Sequence, residues 1–230
     1  MPPELSNALI VVAKRPEPGK TKTRLSPPLT PQLASQLYEC FLLDTLDRMR
    51  QVKGAHKVIA YLGEPEYFQR IAPDFQLIPQ EGADLGTRLD HALTAYLLKG
   101  YQHVVIMDSD SPTLPPGFLS QSFTGLADGA DVVLGPCEDG GYYLIGIKKP
   151  APRLLREVRM STPRVAADTI ALAKAEGLNL VTLPVWYDVD DLASLARLLR
   201  EVNAKDQPEA AATRRFLDQY AIRDLIKNGA

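Results

Sequence analysis

No apolar run in this 230-residue chain approaches the length of about 20 residues that crosses a bilayer, so the reading contains no membrane span. Cysteine is scarce: Cys40 and Cys137 lie far apart and form no metal-ligand pair, which excludes a disulfide scaffold and a zinc ribbon. Charge of one sign is lacking too. A formal net charge of −2 gives no general pull toward nucleic acid or an anionic membrane surface. The opening MPPELSNALI has no basic segment or small-residue cleavage site and does not read as a signal peptide. A reduced, cytoplasmic protein without a nucleic-acid partner is therefore expected. With 45% hydrophobic residues, the chain can build one large α/β core.

What is present centres on Val104–Pro115, VVIMDSDSPTLP. Four apolar residues read as a strand buried on both faces, and it ends in Asp108 and Asp110. Strand side chains alternate, so carboxylates at i and i+2 point the same way and can share a hard cation. The competing reading makes Asp108 a strand end and Asp110 a turn opener.

Earlier, ALIVVA (8–13) reads as the first buried parallel strand. It runs into a loop with five basic residues in eleven positions: Lys14, Arg15, Lys20, Lys22 and Arg24. Such a loop at a strand's carboxyl end is either a phosphate cradle or a solvated basic surface. It is not a P-loop, because Lys14 stands where that motif needs glycine and prolines follow where it needs a helix. Thr30-Pro31 reads as N-cap and first residue of a helix running to about Arg50, with Cys40 as a small core residue. Residues 57–62 and 75–78 read as further strands. QEGADLGTRL (80–89) opens an amphipathic helix near Asp84. There Gly82 permits close backbone approach, and Arg88 lies one turn inside the helix. His91 and His103 read as surface or helix-face residues.

Beyond the central stretch, residues 116–127 read as a helix and 130–136 as a strand. Glu138, Asp139, Gly140 and Gly141 then form either a plain hairpin turn or an acidic strand end that lets a ligand approach backbone. Ser161-Thr162-Pro163 reads as another cap-then-proline helix start, and 178–183 as the last core strand. In WYDVDDL (186–192), Asp190 is either the cap of the following helix or a third carboxylate beside Asp108 and Asp110. Residues 204–230 read as a helical tail packed on the domain of residues 1–203 or on a second copy, which leaves room for a homodimer. Alternating strands and helices make the fold α/β: a single doubly wound, mostly parallel sheet.

Five ordered blocks, KTKTRLSPPL (20–29), QEGADLGTRL (80–89), VVIMDSDSPTLP (104–115), LGPCEDGGYYLIGI (134–147) and WYDVDDL (186–192), resemble a bacterial family of GT-A-type, Rossmann-like nucleotide-diphospho-sugar transferase-like proteins. The resemblance implies a glycosyltransferase using a nucleotide sugar, a small-molecule acceptor and Mg²⁺ or Mn²⁺. It puts the metal on Asp108 and Asp110, with Asp190 as the third acid. It puts phosphate contacts on Lys20, Lys22 and Arg24, which the basic-loop reading extends to Lys14 and Arg15, and nucleotide or acceptor contacts on Gly82, Asp84 and Arg88. It puts Asp139 on the catalytic side, where our reading makes it the general base, with Glu138, Gly140 and Gly141 lining the substrate. The final block also resembles the tail of nucleotidylyltransferases, so transfer of a nucleotide to a phosphorylated metabolite is the alternative. A nucleotide-binding module without catalysis is the third reading.

Overall fold

Alternation along two adjacent strands decides which helices lie on which side of the sheet. In β1 (Asn7–Lys14), Leu9 and Val11 pack in one core with Leu42, Leu46 and Met49 of α1 (Pro31–Gln51). Their neighbours Ala8 and Ile10 pack in another with Leu89, Leu93 and Tyr96 of α3 (Leu85–Leu98). In β4 (His103–Met107) the same alternation sends Val105 to the first core and Val104 and Ile106 to the second. Both strands are thus buried on both faces, which is why they read as unbroken apolar runs.

The computed structural model describes residues 6–202 and 210–228. Further strands are β2 (Ala55–Leu62), β3 (Gln76–Pro79), β5 (Val132–Pro136), β6 (Tyr142–Ile147) and β7 (Leu180–Thr182). They form one seven-stranded sheet in the order β3-β2-β1-β4-β6-β5-β7. Only β6 runs against its neighbours, since it is antiparallel to both β4 and β5. The remaining helices are α2 (Pro65–Ile71), α4 (Pro116–Ala127), α5 (Pro152–Arg156), α6 (Val165–Ala175), α7 (Leu192–Val202), α8 (Ala211–Gln219) and α9 (Ile222–Asn228). Among the described residues no helix is long and apolar enough to cross a membrane.

After β1 the chain winds through β2 to β3, then crosses back to β4 on the other side of β1. The crevice at the carboxyl ends of β1 and β4 is therefore the topological switch point, where open α/β sheets bind ligands. Helix α1 also feeds a third apolar cluster, in which Leu37 and Phe41 meet Val189, Leu195 of α7 and Phe216 of α8. Asp44 of α1 caps α8 from the side, its carboxylate accepting from the Ala212 and Thr213 N–H groups at 2.9 and 2.8 Å. That contact satisfies two of the donors a helix start leaves open.

Several local expectations need correction. The helix expected at Ser161-Thr162-Pro163 begins at Val165, and α5 was not foreseen. Segment 161–163 is instead held against the β5–β6 turn. The last strand is shorter than 178–183, and it reaches the second core only through Leu180. It is an edge strand, with Val181 40% exposed, because only β5 pairs with it.

Candidate functional site

The site grows from the end of β4. The Asp108 N–H donates to the Tyr143 carbonyl at 3.0 Å, which fixes the chain as it leaves the sheet. The Asp108 carboxylate then accepts from the Asp110 N–H at 3.2 Å, a local turn that aims both side chains into the crevice. Asp108 is half-buried at the base of that crevice. Burial, with Asp110 and Asp188 nearby, pushes its carboxyl well above the usual range.

Asp110 and Asp190 share an internal cation. The Lys22 ammonium lies 2.7 Å from Asp110 and 2.6 Å from Asp190, and its side chain is only 5% exposed. Burial alone would lower the Lys22 pKa, but the two carboxylates outweigh it and raise it. Lys22, read in the sequence with the phosphate binders, therefore ties the basic loop to two acids. Those same two acids were read as metal ligands alongside Asp108.

Asp190 is not the residue that caps the following helix. Asp191 is the residue that caps α7, accepting from the Ser194 N–H at 2.8 Å. Asp190 is free to meet Lys22. Val189 is fully buried and donates its N–H to the Asp110 carbonyl at 3.0 Å. Alternation about Val189 puts Asp188 on the same side as Asp190. Asp188 was missed in the sequence, although the i, i+2 argument applied to Asp108 and Asp110 would have found it. Its carboxyl is pushed up to about 6 by burial and by Asp190 and Asp139.

The β5–β6 turn brings the remaining acid. Asp139 is exposed and accepts from the Gly141 N–H at 2.7 Å. Cys137, Asp139 and Asp188 hold their ligating atoms within 4.8 Å of one another. Burial and the surrounding carboxylates push the Cys137 thiol far up, so it stays protonated in metal-free protein and is not an activated nucleophile there. Gly140 adopts φ +88°, and a Cβ there would sit 1.9 Å from the Pro163 carbonyl oxygen, so only glycine lets the turn touch segment 161–163. Glu138 points away to Arg197 of α7 at 2.7 Å.

Two contiguous chambers, about 480 and 470 Å³, open on this edge and share Arg24, Asp108, Asp110 and Asp190. The second is basic, lined by Lys14, Lys20, Lys22, Arg24 and Arg88. Within it the Arg88 Nε donates to the Gly82 carbonyl at 2.9 Å, and the Lys14 ammonium to the Lys20 carbonyl at 3.2 Å. Lys20 also pairs with Glu17 at 2.6 Å, and Arg15 is turned to Glu64. Asp84 caps α3, accepting from the Thr87 N–H at 2.8 Å, and is exposed.

A divalent cation fits the acids on the other side of Lys22. Asp139 and Asp188 share the 4.8 Å cluster with Cys137, Asp108 lies close enough for Asp188 to raise its carboxyl, and among the described residues no cationic side chain forms an ion pair with these three acids. Hard oxygen sets of this kind suit Mg²⁺ or Mn²⁺.

Their crowding has a measurable consequence in metal-free protein. Asp188 holds its proton to about pH 6 when folded and to about 3.8 when unfolded. The native state thus binds more protons between those values, and stability falls as pH rises through that window. Above it the penalty is complete. In EDTA, Asp188→Asn is expected to stabilise the protein at pH 7.5 by about 1 kcal/mol, allowing for solvent screening. That is roughly 2–4 °C in Tm. At pH 4 the gain should vanish. Thermal melts at the two pH values check this, and an equal gain at both would contradict it.

The sequence profile of a bacterial family, described as uncharacterized protein conserved in bacteria (DUF2064), matches residues 45–162. The crystal structure of a candidate nucleotide-diphospho-sugar transferase from Desulfovibrio desulfuricans G20 is 31% identical, with TM-score 0.87, covering 97% of this chain and 98% of that one. A cytidylyltransferase from Leptospira borgpetersenii shares the fold at 12% identity and TM-score 0.55, covering 98% of each chain. So does CMP:2-keto-3-deoxy-manno-octonic acid synthetase complexed with CTP, at 13% identity and TM-score 0.54, covering 85% of this chain and 98% of that one. No curated protein matches the sequence.

Proposed function

The chain belongs to the bacterial DUF2064 family, and from this premise we propose that it is a metal-dependent glycosyltransferase using a nucleotide-diphosphate sugar. The observation that carries the reading is the meeting of a basic chamber with a carboxylate cluster at the sheet's switch point. The similarity to the Desulfovibrio transferase supports it.

In this reading Lys14, Lys20, Arg24 and Arg88 neutralise the donor's diphosphate. Glu17 and the Lys20 carbonyl hold two of those side chains partly in place beforehand, which lowers the ordering entropy lost on binding. Lys22 is held back by its two aspartates and sets the spacing between the basic loop and the acids. Asp108 and Asp188 would hold Mg²⁺ or Mn²⁺, with Asp139 at the edge of the same cluster. When bound, the cation neutralises charge developing on the leaving diphosphate. The transfer forms a bond from an acceptor oxygen to the anomeric carbon and breaks the bond from that carbon to the phosphate oxygen. The electron pair leaves on the nucleoside diphosphate. The acceptor proton passes to Asp139, whose Gly141 contact fixes one carboxylate oxygen and leaves the other for the hydroxyl.

The test is a thermal-shift screen with nucleoside mono-, di- and triphosphates and nucleotide sugars, each with Mg²⁺, Mn²⁺ or EDTA. A ligand at about a hundredfold over its Kd adds roughly 2.7 kcal/mol, or about 5–11 °C for a chain of this size. Metal-dependent shifts with one nucleoside diphosphate and its sugars are expected. Shifts confined to triphosphates would select nucleotidyl transfer instead, and no shift with any nucleotide would overturn the reading.

A further inference from the structure

The chamber beside β6 has a chemistry its basic neighbour lacks. Leu89, Ile106 and Val165 form buried walls, Met160 and Pro163 complete the apolar side, and Leu85 stands 39% exposed at the rim. Five carboxylates line the opposite edge: Asp108, Asp110, Asp139, Asp188 and Asp190. Arg24 is the sole lysine or arginine among its lining residues, and it is shared with the basic chamber. Lys22 compensates Asp110 and Asp190 from the basic side, so Asp108, Asp139 and Asp188 are the acids that a phosphate or carboxylate would face here in metal-free protein, across a partly desolvated space.

One polar handle rises from the apolar side. The Tyr142 hydroxyl donates to the Met160 sulfur at 3.6 Å. A thioether is a weak acceptor, so that hydroxyl is readily turned to a ligand oxygen. Burial pushes the Tyr142 pKa up, which keeps the group a donor at neutral pH.

We propose that the second substrate is an uncharged molecule with an apolar or aromatic face, seated against Leu85, Leu89, Met160 and Pro163, with a hydroxyl turned to Tyr142. Calling this molecule an acceptor rests on the transferase reading above. The chamber's preference for a neutral apolar ligand rests on its own walls and charges. In metal-free protein a phosphorylated ligand is disfavoured in this chamber by Asp108, Asp139 and Asp188.

Methionine-methyl NMR tests this without substitution. Met160 and Met107 line the chamber, whereas Met49 is buried in the α1 core and serves as an internal control. The full chain, labelled at its methionine methyls, is titrated at pH 7 in EDTA with 2-naphthol and, separately, 2-naphthyl phosphate. The two probes share an aromatic face and differ in charge. Saturable movement of the Met160 signal by 2-naphthol is expected, with Met49 unmoved. The phosphate ester should act at least about tenfold more weakly, as like-charge contacts require. Ester binding in the basic chamber would not register, because no methionine lines it. An ester that moves Met160 as readily as the alcohol overturns the proposal, and so does a Met160 signal unmoved by either. Failure of every nucleotide to bind would sink the transferase reading yet leave the naphthol result standing, so the two failures are distinguishable.

Discussion

Asp108→Asn is expected to reduce metal-dependent turnover by about 10²–10³-fold, the scale on which preorganised charge at a reacting centre acts. The same substitution should leave the protein folded. Asparagine keeps the volume and can accept the Asp110 N–H bond at 3.2 Å. It also deletes a carboxylate that burial and two neighbouring acids already disfavour in its charged form. Activity and stability should thus move in opposite directions, with Tm unchanged or raised in EDTA. Turnover of a nucleotide sugar with Mn²⁺ or Mg²⁺, measured beside a thermal melt, checks both. An Asp108→Asn protein with normal metal-dependent activity would remove the core of the assignment. One that loses activity only by unfolding would leave Asp108 a structural residue.

Lys22→Met should have the largest effect on stability. Its ammonium is almost wholly enclosed, whereas Asp110 and Asp190 are 35% and 43% exposed. Removing one partner of a buried pair costs about 3–5 kcal/mol, because the other is left uncompensated. Solvent at the two aspartates screens part of that, so a loss of about 2–3 kcal/mol is expected. For a chain of this length that lowers Tm by about 4–12 °C. The raised Lys22 pKa fixes the sign with pH: its contribution is fully present below the unfolded value of 10.5 and is lost only as pH rises through the folded value. The deficit should therefore be the same at pH 7 and pH 9. Adding Asp110→Asn to Lys22→Met removes one stranded carboxylate and should recover part of the loss. Strict additivity of the two substitutions would show that the contact carries no coupling energy.

The frame of the molecule was legible because local signals and tertiary burial agree in it. β1 and β4 are unbroken apolar runs because both faces are covered by helices. Thr30 accepts from the Leu33 N–H at 3.2 Å and starts α1 where the Thr-Pro pair indicates. Asp84 does the same for α3. At Ser161-Thr162-Pro163 the local signal was overruled. Close packing of Pro163 on Gly140 holds that segment out of the helix, and neither residue reveals the other in sequence.

The site shows the same division. The acids at Asp108, Asp110 and Asp139 stand out at strand ends, but their partners depend on residues far along the chain. Lys22 looks like one more cation in a basic loop. Its two aspartates lie far down the chain, one after β4 and the other just before α7, and only the folded sheet brings them together. Asp188 was the avoidable omission. Its alternation with Asp190 about an apolar residue was present in the sequence, but two aspartates at 190 and 191 drew the reading toward a helix cap. That cap is Asp191.

The most direct measurement is ³¹P NMR of the products formed from nucleotide sugars, and from nucleoside triphosphates with sugar phosphates, in Mn²⁺ or EDTA. Glycosyl transfer to 2-naphthol or water predicts release of a nucleoside diphosphate from one nucleotide sugar, dependent on the metal and suppressed in Asp108→Asn. Pyrophosphate released from a triphosphate, with every nucleotide sugar left intact, would contradict the account.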